Sequence, residues 1–348
     1  MILFFRGRGY IMFINRDLND QFNPVVSQVR RTFDVVNASG GAVVIIHKDR
    51  IVIEDYWGKH SKAADARKVQ EDTQFHVASV RKSYIGFVVA YAIHNGFIES
   101  IDDQIVKYLP TLKAHLINGT TIRHLLTHTH GLKTIEGEIV REFAPGKGWA
   151  YRGIGVDMLT QIVENTTGKT VVEIISEQVF QPLKFNETGW YGERNEKLVE
   201  VIRQPNDPNW YTSKSTKGGK MNMYVSAREL ALWGYFHLEK GMINQKQIVP
   251  QEIIKLATTV QSPLFKDTDN PQNGFLWFAK NSAAKRNEIG EQVPSGSFQI
   301  LGYTNVALLV IPQHEIVAVR MMNSFGSPKG FDYLTDIRNF GDTVMKCH

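Results

Sequence analysis

A serine and a lysine three positions apart, Ser79 and Lys82, could together carry out nucleophilic chemistry. Residues i and i+3 lie on one face of a helix, so the Lys82 amine could reach the Ser79 hydroxyl and take its proton. The run that follows, SYIGFVVAYAI, predicts a buried helix that would hold both side chains and lower the pKa of Lys82 by desolvation. The positive end of the helix dipole would favour an alkoxide and a developing oxyanion at the same place.

The same two residues also have a purely structural interpretation, with Ser79 as a helix cap and Lys82 as a surface residue. A second Ser-x-x-Lys pattern, Ser282 to Lys285, lies in a polar segment with no apolar helix after it. The pattern is therefore weak evidence when it stands alone. From it, Ser79 could be either a helix cap or a nucleophile.

Periodicity and turn residues predict the elements that must position this pair. Helical spacing is found at residues 22–38, 79–96, 120–128, 154–166, 170–179, 226–240, 250–258 and 331–346. Apolar, β-branched runs that predict strands are AVVIIH, RIVIEDYWG, GFLWFAK, SFQILGYTNVALLVIP and EIVAVRMMN. Two long polar segments, residues 204–220 and 262–274, are typical of surface loops that often carry function.

Strands at both ends of the chain, with helices between them, predict an α+β fold. We expect an antiparallel sheet, formed by N- and C-terminal strands and flanked by helices, with a mostly helical lobe inserted. In this interpretation residues 1–21 are a poorly defined N-terminal segment and residues 22–348 form one domain. Its α/β lobe would comprise about 22–78 and 262–348, and its helical lobe about 79–261.

Composition excludes several classes of protein. The net charge of +5 is spread over 348 residues without a block of like charge, so we expect no nucleic-acid partner. The single cysteine, Cys347, permits neither an intrachain disulfide nor a cysteine-based metal site. Arg6 and Arg8 interrupt the apolar start, and the remaining pieces are too short for a signal peptide or a membrane span. These features together predict a cytoplasmic protein.

Several segments in fixed order strengthen the nucleophile interpretation. They include TTIRHLLTHTHGL, APGKGWAYRG and VSARELALWG. With Ser79 and Lys82, they make the chain similar to the serine β-lactamase and penicillin-binding-protein superfamily over about residues 22–345. Within it the chain resembles the class C-related branch of β-lactamase-like esterases, DD-peptidases and D-aminopeptidases. The resemblance implies a β-lactamase/transpeptidase-like fold.

The resemblance also implies roles for individual residues. Ser79 matches the acylated nucleophile and Lys82 the lysine that activates it. Tyr151 matches the tyrosine of the family's Y-x-N motif, which shares acid–base work with the lysine. A cationic Lys82 would favour a Tyr151 phenolate, although Tyr151 has the alternative interpretation of a core aromatic next to Trp149.

Two departures from the family pattern bear on the substrate. Gly153 replaces the Asn of Y-x-N, and the best register for the third motif, usually K-T-G or H-x-G, is Ile300-Leu301-Gly302. Gly302 would still let backbone approach a substrate closely. The backbone N–H groups of Ser79 and Tyr303 would form the oxyanion hole.

The missing third-motif cation decides which substrates we expect. β-Lactams and D-Ala-D-Ala peptides carry a carboxylate, which an apolar motif cannot bind unless Arg152 or Arg81 compensates. We therefore expect an enzyme that hydrolyses a small-molecule ester or amide. A true β-lactamase or DD-peptidase and an inactive binding or scaffold protein are the alternatives. Trp149, Trp277 and loop 204–220 are the predicted pocket walls.

Neither a metal nor an organic cofactor is expected. His124 and His128 are spaced i and i+4, which could place a zinc ion on a helix face. No cysteine partner or H-E-x-x-H pattern accompanies them, and His128 falls in a turn to which the family resemblance assigns a structural role. His130 stands where that pattern usually has a serine.

Overall fold

The computed structural model describes residues 14–265 and 269–348. The helices are α1 Asn23–Val35, α2 Arg81–His94, α3 Ala114–Ile117, α4 Ile122–Leu126, α5 Ile154–Thr167, α6 Val171–Ile175, α7 Gln181–Leu183, α8 Ala227–Leu238, α9 Gln251–Thr258 and α10 Tyr333–Lys346. The strands are β1 Asn15–Arg16, β2 Gly40–His47, β3 Arg50–Gly58, β4 Gln74–His76, β5 Leu132–Ile135, β6 Glu138–Arg141, β7 Thr188–Trp190, β8 Met223–Ser226, β9 Met242–Ile243, β10 Lys246–Gln247, β11 Gln272–Asn273, β12 Phe278–Ala279, β13 Phe298–Gly302, β14 Val306–Ile311 and β15 Ile316–Met322.

An eight-stranded sheet joins the two ends of the chain. Its strand order is β1-β3-β2-β15-β14-β13-β12-β11, and β2 and β15 pair antiparallel at its centre. The N- and C-terminal strands therefore share one sheet, which confirms the predicted α+β class. The edge pair β1–β3 is parallel, so the sheet is mixed rather than purely antiparallel as expected. A two-residue strand has no alternating pattern from which this pairing could have been predicted.

Both faces of the sheet are covered, which explains why β2 is apolar throughout rather than alternating. Val43 and Ile45 pack into a cluster that contains residues of α1 and α10. Val44 and Ile46 point to the opposite face and join the larger core formed with α2 and α8. The sheet is thus the middle layer between two sets of helices, and α2 lies within the larger core.

The segment inserted between β3 and β11 contains helices α2–α9 and three small sheets, β4-β8-β7, β5-β6 and β9-β10. The division into an α/β lobe and a helical lobe remains a proposal. The expected poorly defined segment, residues 1–21, lies outside the described residues up to position 13. Among the described residues, no helix is long and apolar enough to cross a membrane.

The predicted buried helix is confirmed, with a difference at its start. Residues Ala78–Val80 form a 3-10 turn, and α2 begins at Arg81. The helix ends at His94 with Asn95 as its C-cap, and Gly96 follows with a φ of +75°, the left-handed conformation that glycine adopts readily. Ser79 therefore lies in the turn that leads into the helix, and its side chain caps neither segment.

Candidate active site

The turn that carries Ser79 is held in an unusual backbone conformation. Ala78 has a φ of +45°, in the left-handed region that a residue with a Cβ rarely adopts. Neighbouring elements hold this segment from two sides. The Val77 N–H donates to the Met223 carbonyl at 3.0 Å, and the Thr304 hydroxyl donates to the His76 carbonyl at 2.6 Å. Ser79 remains partly exposed at the end of this clamped segment.

Lys82 lies one helical turn further along, and only 3% of its surface is exposed. Its Nζ lies 3.0 Å from Ser79 Oγ and 2.6 Å from Tyr151 Oη. Desolvation lowers the pKa of Lys82 well below its usual value, and the neighbouring charge of Arg81 lowers that pKa further. Burial thus favours the neutral amine, which is the form that can accept the Ser79 proton.

Tyr151 reaches the pair from the loop that precedes α5. Its ring lies 4.5 Å from the His128 ring and stacks on Phe278 at 6.3 Å, measured between centroids. Desolvation raises the pKa of Tyr151 to about 12, while the hydrogen bond with Ser79 opposes that rise. Because Tyr151 is also 37% exposed, solvent moderates this shift, and its direction is what matters for the chemistry. That direction favours a neutral phenol over the phenolate that a cationic Lys82 would favour.

Ser79 and Tyr151 open into a cavity of about 360 Å³. The other predicted site residues that line it are Trp149, Gly302 and Tyr303. The structure therefore brings together five of the seven predicted site residues at one cavity, with Lys82 buried beside them. Trp149 is held in place by its indole N–H, which donates to Asn273 Oδ1 at 2.8 Å.

Four further lining residues were not predicted to face the cavity: Phe278, Glu288, Leu301 and Tyr333. Leu301 was identified only as part of the altered third motif. Glu288 lies in the polar segment KRNEIG, where nothing in the sequence distinguishes one carboxylate from its neighbours. Tyr333 is the first residue of α10, more than 180 positions from Tyr151 in sequence. Residues so far apart in sequence come together only through the tertiary fold.

Gly302 ends strand β13 directly beside the turn that carries Ser79. A Cβ at this position would lie only 2.4 Å from the Val77 carbonyl oxygen, which is closer than real Cβ contacts come. Glycine is therefore required for strand β13 to approach the Ser79 turn. Ile300 is fully buried in the core. In the register predicted from the sequence, Ile300 and Leu301 would stand where the family pattern usually has a cation.

Gly302→Ala is expected to lower the free energy of unfolding by about 1–3 kcal/mol, because the new methyl group must displace the Val77 carbonyl. Displacement of the Ser79 turn should also slow reaction of Ser79 with an active-site probe. Gly153→Ala is the matched control, since a Cβ there meets no atom within 4 Å and φ is −71°. Thermal melts and labelling rates measure both effects. An unchanged melting temperature and labelling rate in Gly302→Ala would contradict the close approach.

The two predicted arginines do not line the cavity. Arg152 binds Glu142 with two of its nitrogens, Nη2 at 2.9 Å and Nε at 3.2 Å. Arg81 donates to the backbone carbonyls of Ala78 and Gly219. Each guanidinium group thus has protein partners, and neither faces the cavity.

Two predicted pocket walls also lie elsewhere. Trp277 is fully buried, and its ring packs 5.2 Å from that of Phe298, so the prediction that it lines the pocket is wrong. Loop 204–220 does not line the cavity but contacts a residue that packs against its wall. Its Trp210 contacts Phe325 at 5.1 Å, and Phe325 in turn packs against Tyr303 at 4.8 Å.

The histidines have local partners or apolar neighbours. His124 Nδ1 accepts a hydrogen bond from the Thr121 N–H at the start of α4. His128 is 1% exposed, and its burial lowers its pKa well below the usual value. In the part of the chain that the structure describes, no three His, Cys, Asp or Glu side chains form a group that could hold a metal ion.

The second Ser-x-x-Lys pattern has none of these features. Ser282 is exposed, and Lys285 forms an ion pair with Asp269 at 3.1 Å. A surface lysine of this kind is not desolvated, and the two residues lie outside the cavity of Ser79. The helix that buries Lys82 is what distinguishes the first pattern from the second.

Comparison with known proteins places the chain in a family. The profile of the family described as Beta-lactamase matches residues 29–340. An uncharacterized protein of Alkalihalophilus pseudofirmus is 62% identical over 336 residues, 97% of this chain and 99% of that protein. Esterase EstB of Burkholderia gladioli is 28% identical over 195 residues, 46% of this chain and 49% of that protein.

A solved structure agrees with the sequence comparisons. A class C β-lactamase superposes with a TM-score of 0.76 at 16% identity, covering 96% of this chain and 98% of that chain. Likeness at this identity confirms the predicted β-lactamase/transpeptidase-like fold. The match of the family profile over most of the sequence shows that this chain belongs to the β-lactamase family.

Proposed function

We propose that this chain is a serine hydrolase that acts on an ester or amide through an acyl-enzyme at Ser79. One observation supports this more than any other. The buried Lys82 amine lies within hydrogen-bonding distance of both Ser79 Oγ, at 3.0 Å, and Tyr151 Oη, at 2.6 Å. A nucleophile, a desolvated base and a proton carrier are thus in contact at the edge of one cavity.

The reaction begins when Ser79 Oγ attacks the substrate carbonyl and its proton passes to the Lys82 amine. The oxyanion of the tetrahedral intermediate accepts hydrogen bonds from the backbone N–H groups of Ser79 and Tyr303. As the bond to the alcohol or amine breaks, the leaving group takes a proton from Lys82, directly or through Tyr151. Water then attacks the acyl carbonyl while its proton passes to the Lys82 amine. Lys82 returns a proton to Ser79 Oγ as the acyl bond breaks, which releases the acid and restores the Ser79 hydroxyl.

The cavity lining supports an esterase or amidase rather than a strict β-lactamase or DD-peptidase. Its lining residues include no lysine, arginine or histidine among the described residues, and Glu288 is the one carboxylic acid among them. A carboxylate on the substrate would therefore meet no charge-assisted partner and would be repelled by Glu288. Both Arg81 and Arg152 are bound elsewhere, which leaves the lost cation uncompensated.

A fluorophosphonate probe and a substrate panel test this proposal. The probe should add one equivalent to the protein, and mass spectrometry should locate it on Ser79. In a panel of p-nitrophenyl esters, D-amino-acid amides and nitrocefin, we expect the uncharged esters to be hydrolysed fastest and nitrocefin slowest. Preferred turnover of nitrocefin would instead support a β-lactamase. Failure of Ser79 to label, with no hydrolysis of any substrate, would support a binding protein.

A further inference from the structure

Glu288 faces the cavity of Ser79 with a carboxyl group that has no partner among the described residues. Its backbone carbonyl accepts a hydrogen bond from Gln299 Nε2 at 3.0 Å, but no described residue donates a hydrogen bond to the side chain or forms an ion pair with it. Arg338, the nearest guanidinium in electrostatic terms, donates to the backbone carbonyls of Asn287 and Lys285 instead. Glu288 is half-buried, and a carboxylate that is partly withdrawn from water with no partner among the described residues costs stability, which suggests a role outside folding.

The walls around this carboxyl group are mostly aromatic. Five rings line the same cavity, those of Trp149, Tyr151, Phe278, Tyr303 and Tyr333. Aromatic faces attract organic cations through their quadrupoles, most strongly when the cation is removed from water. A single carboxylate among several rings is therefore an arrangement that suits an ammonium group and repels an anion.

We propose that Glu288 determines substrate specificity, and that the preferred substrate is an ester or amide that carries a positively charged ammonium group, paired with Glu288 and enclosed by the aromatic walls. This inference rests on the proposed hydrolase function of Ser79 and names the class of substrate for that site. The ammonium group would supply the partner that Glu288 lacks within the protein. Glu288 would thereby reverse the usual charge preference that a third-motif cation confers.

The electrostatics around Glu288 agree with this assignment. Desolvation raises the pKa of Glu288 to about 7, and the charge of Arg338 opposes that rise, as does Lys82 when it is protonated. Tyr151 and Tyr333 also face it, and the Glu288 charge contributes to the raised pKa of each phenol. As the pH rises through about 7, Glu288 loses its proton, so the attraction for a cation should increase.

The test uses two matched pairs of esters. One pair is a choline ester and its neutral 3,3-dimethylbutyl isostere, which differ in the charge of the alcohol. The other pair consists of a charged ester and its neutral isostere that differ in the charge of the acyl group. The wild-type protein should prefer the charged member of at least one pair by about tenfold in kcat/KM, as expected for an ion pair reinforced by cation–π contacts. Glu288→Gln, which keeps the shape and removes the charge, should reduce that ratio about tenfold. Glu291→Gln is the control, because it removes a carboxylate three positions away that is exposed and outside the cavity.

Two measurements on the wild-type protein keep the inference testable if Glu288→Gln does not fold. The preference for the charged ester should increase as pH rises from 6 to 8, and tetramethylammonium should slow fluorophosphonate labelling of Ser79. Equal rates for both members of each pair, unchanged by pH and by Glu288→Gln, would overturn the inference while labelling of Ser79 still supported a hydrolase. If Ser79 does not label, the proposed function itself fails. Calorimetric titration with choline then shows whether Glu288 binds a cation.

Discussion

Ser79→Ala is expected to reduce kcat/KM for the best ester of the panel by at least about 1,000-fold, because alanine has no atom that can form the acyl-enzyme. Fluorophosphonate labelling should disappear at the same time. The fold should persist, since Ser79 is partly exposed and its side chain caps no helix. An ester hydrolysis assay, fluorophosphonate labelling and a thermal melt on one preparation measure activity, reactivity of Ser79 and stability, respectively.

Ser282→Ala is the matched control for this experiment. It removes the serine of the other Ser-x-x-Lys pattern, which is exposed and lies outside the cavity. Its rate of ester hydrolysis and its fluorophosphonate labelling should equal those of the wild type. Hydrolysis that persists undiminished in Ser79→Ala would show that another residue is the nucleophile, whatever the control does.

Much of the fold follows from the order of elements in the sequence. Long apolar runs at both ends predict the shared sheet, because such runs need partners and the segment between them offers no apolar, β-branched run of comparable length. Short elements carry no comparable signal, since two or three residues show neither helical nor strand periodicity. The parallel pairing of Asn15–Arg16 with β3 and the three small sheets of the inserted segment are therefore known only from the structure.

The site shows the same division between local and distant information. Ser79 and Lys82 are linked by helical spacing, and Tyr151 by the family resemblance, so these three residues could be predicted. The structure shows them in contact, while their catalytic roles remain a proposal. Trp277 was assigned wrongly because an aromatic residue in an apolar run is equally suited to a core, where the structure places it. Glu288 was missed because its position depends on the tertiary fold rather than on neighbouring residues.

The protonation of Lys82 and Tyr151 could not be deduced from the residues alone. A lysine near a tyrosine predicts an ammonium–phenolate pair if charge attraction dominates, but two neutral groups if desolvation dominates. The structure adds the burial on which this balance depends. Only 3% of Lys82 is exposed, and desolvation is the largest contribution to the pKa shift of each group. Both shifts favour the neutral forms, which makes the Lys82 amine the base for acylation in the proposed mechanism.

Lys82→Met is therefore expected to slow acylation of Ser79 by about 1,000-fold without lowering stability, because methionine fills a similar volume but cannot accept a proton. A lysine whose pKa is lowered in the folded state binds fewer protons there than in the unfolded state. It therefore destabilises the fold at neutral pH, and this loss of stability becomes smaller as pH rises toward the pKa that Lys82 has in the unfolded chain. Removing the amine should leave the melting temperature at pH 7 equal to or above that of the wild type.

Comparison with Tyr151→Phe then separates the two candidate bases. The phenylalanine ring preserves packing against His128 and Phe278, and it leaves the Lys82 amine 3.0 Å from Ser79 Oγ. Tyr151→Phe should accordingly label faster than Lys82→Met in a time course with the same fluorophosphonate. The opposite order would make a Tyr151 phenolate the base, and would mean that charge attraction outweighs desolvation at this pair. Lys285→Met, which alters only the exposed pattern, should label at the wild-type rate.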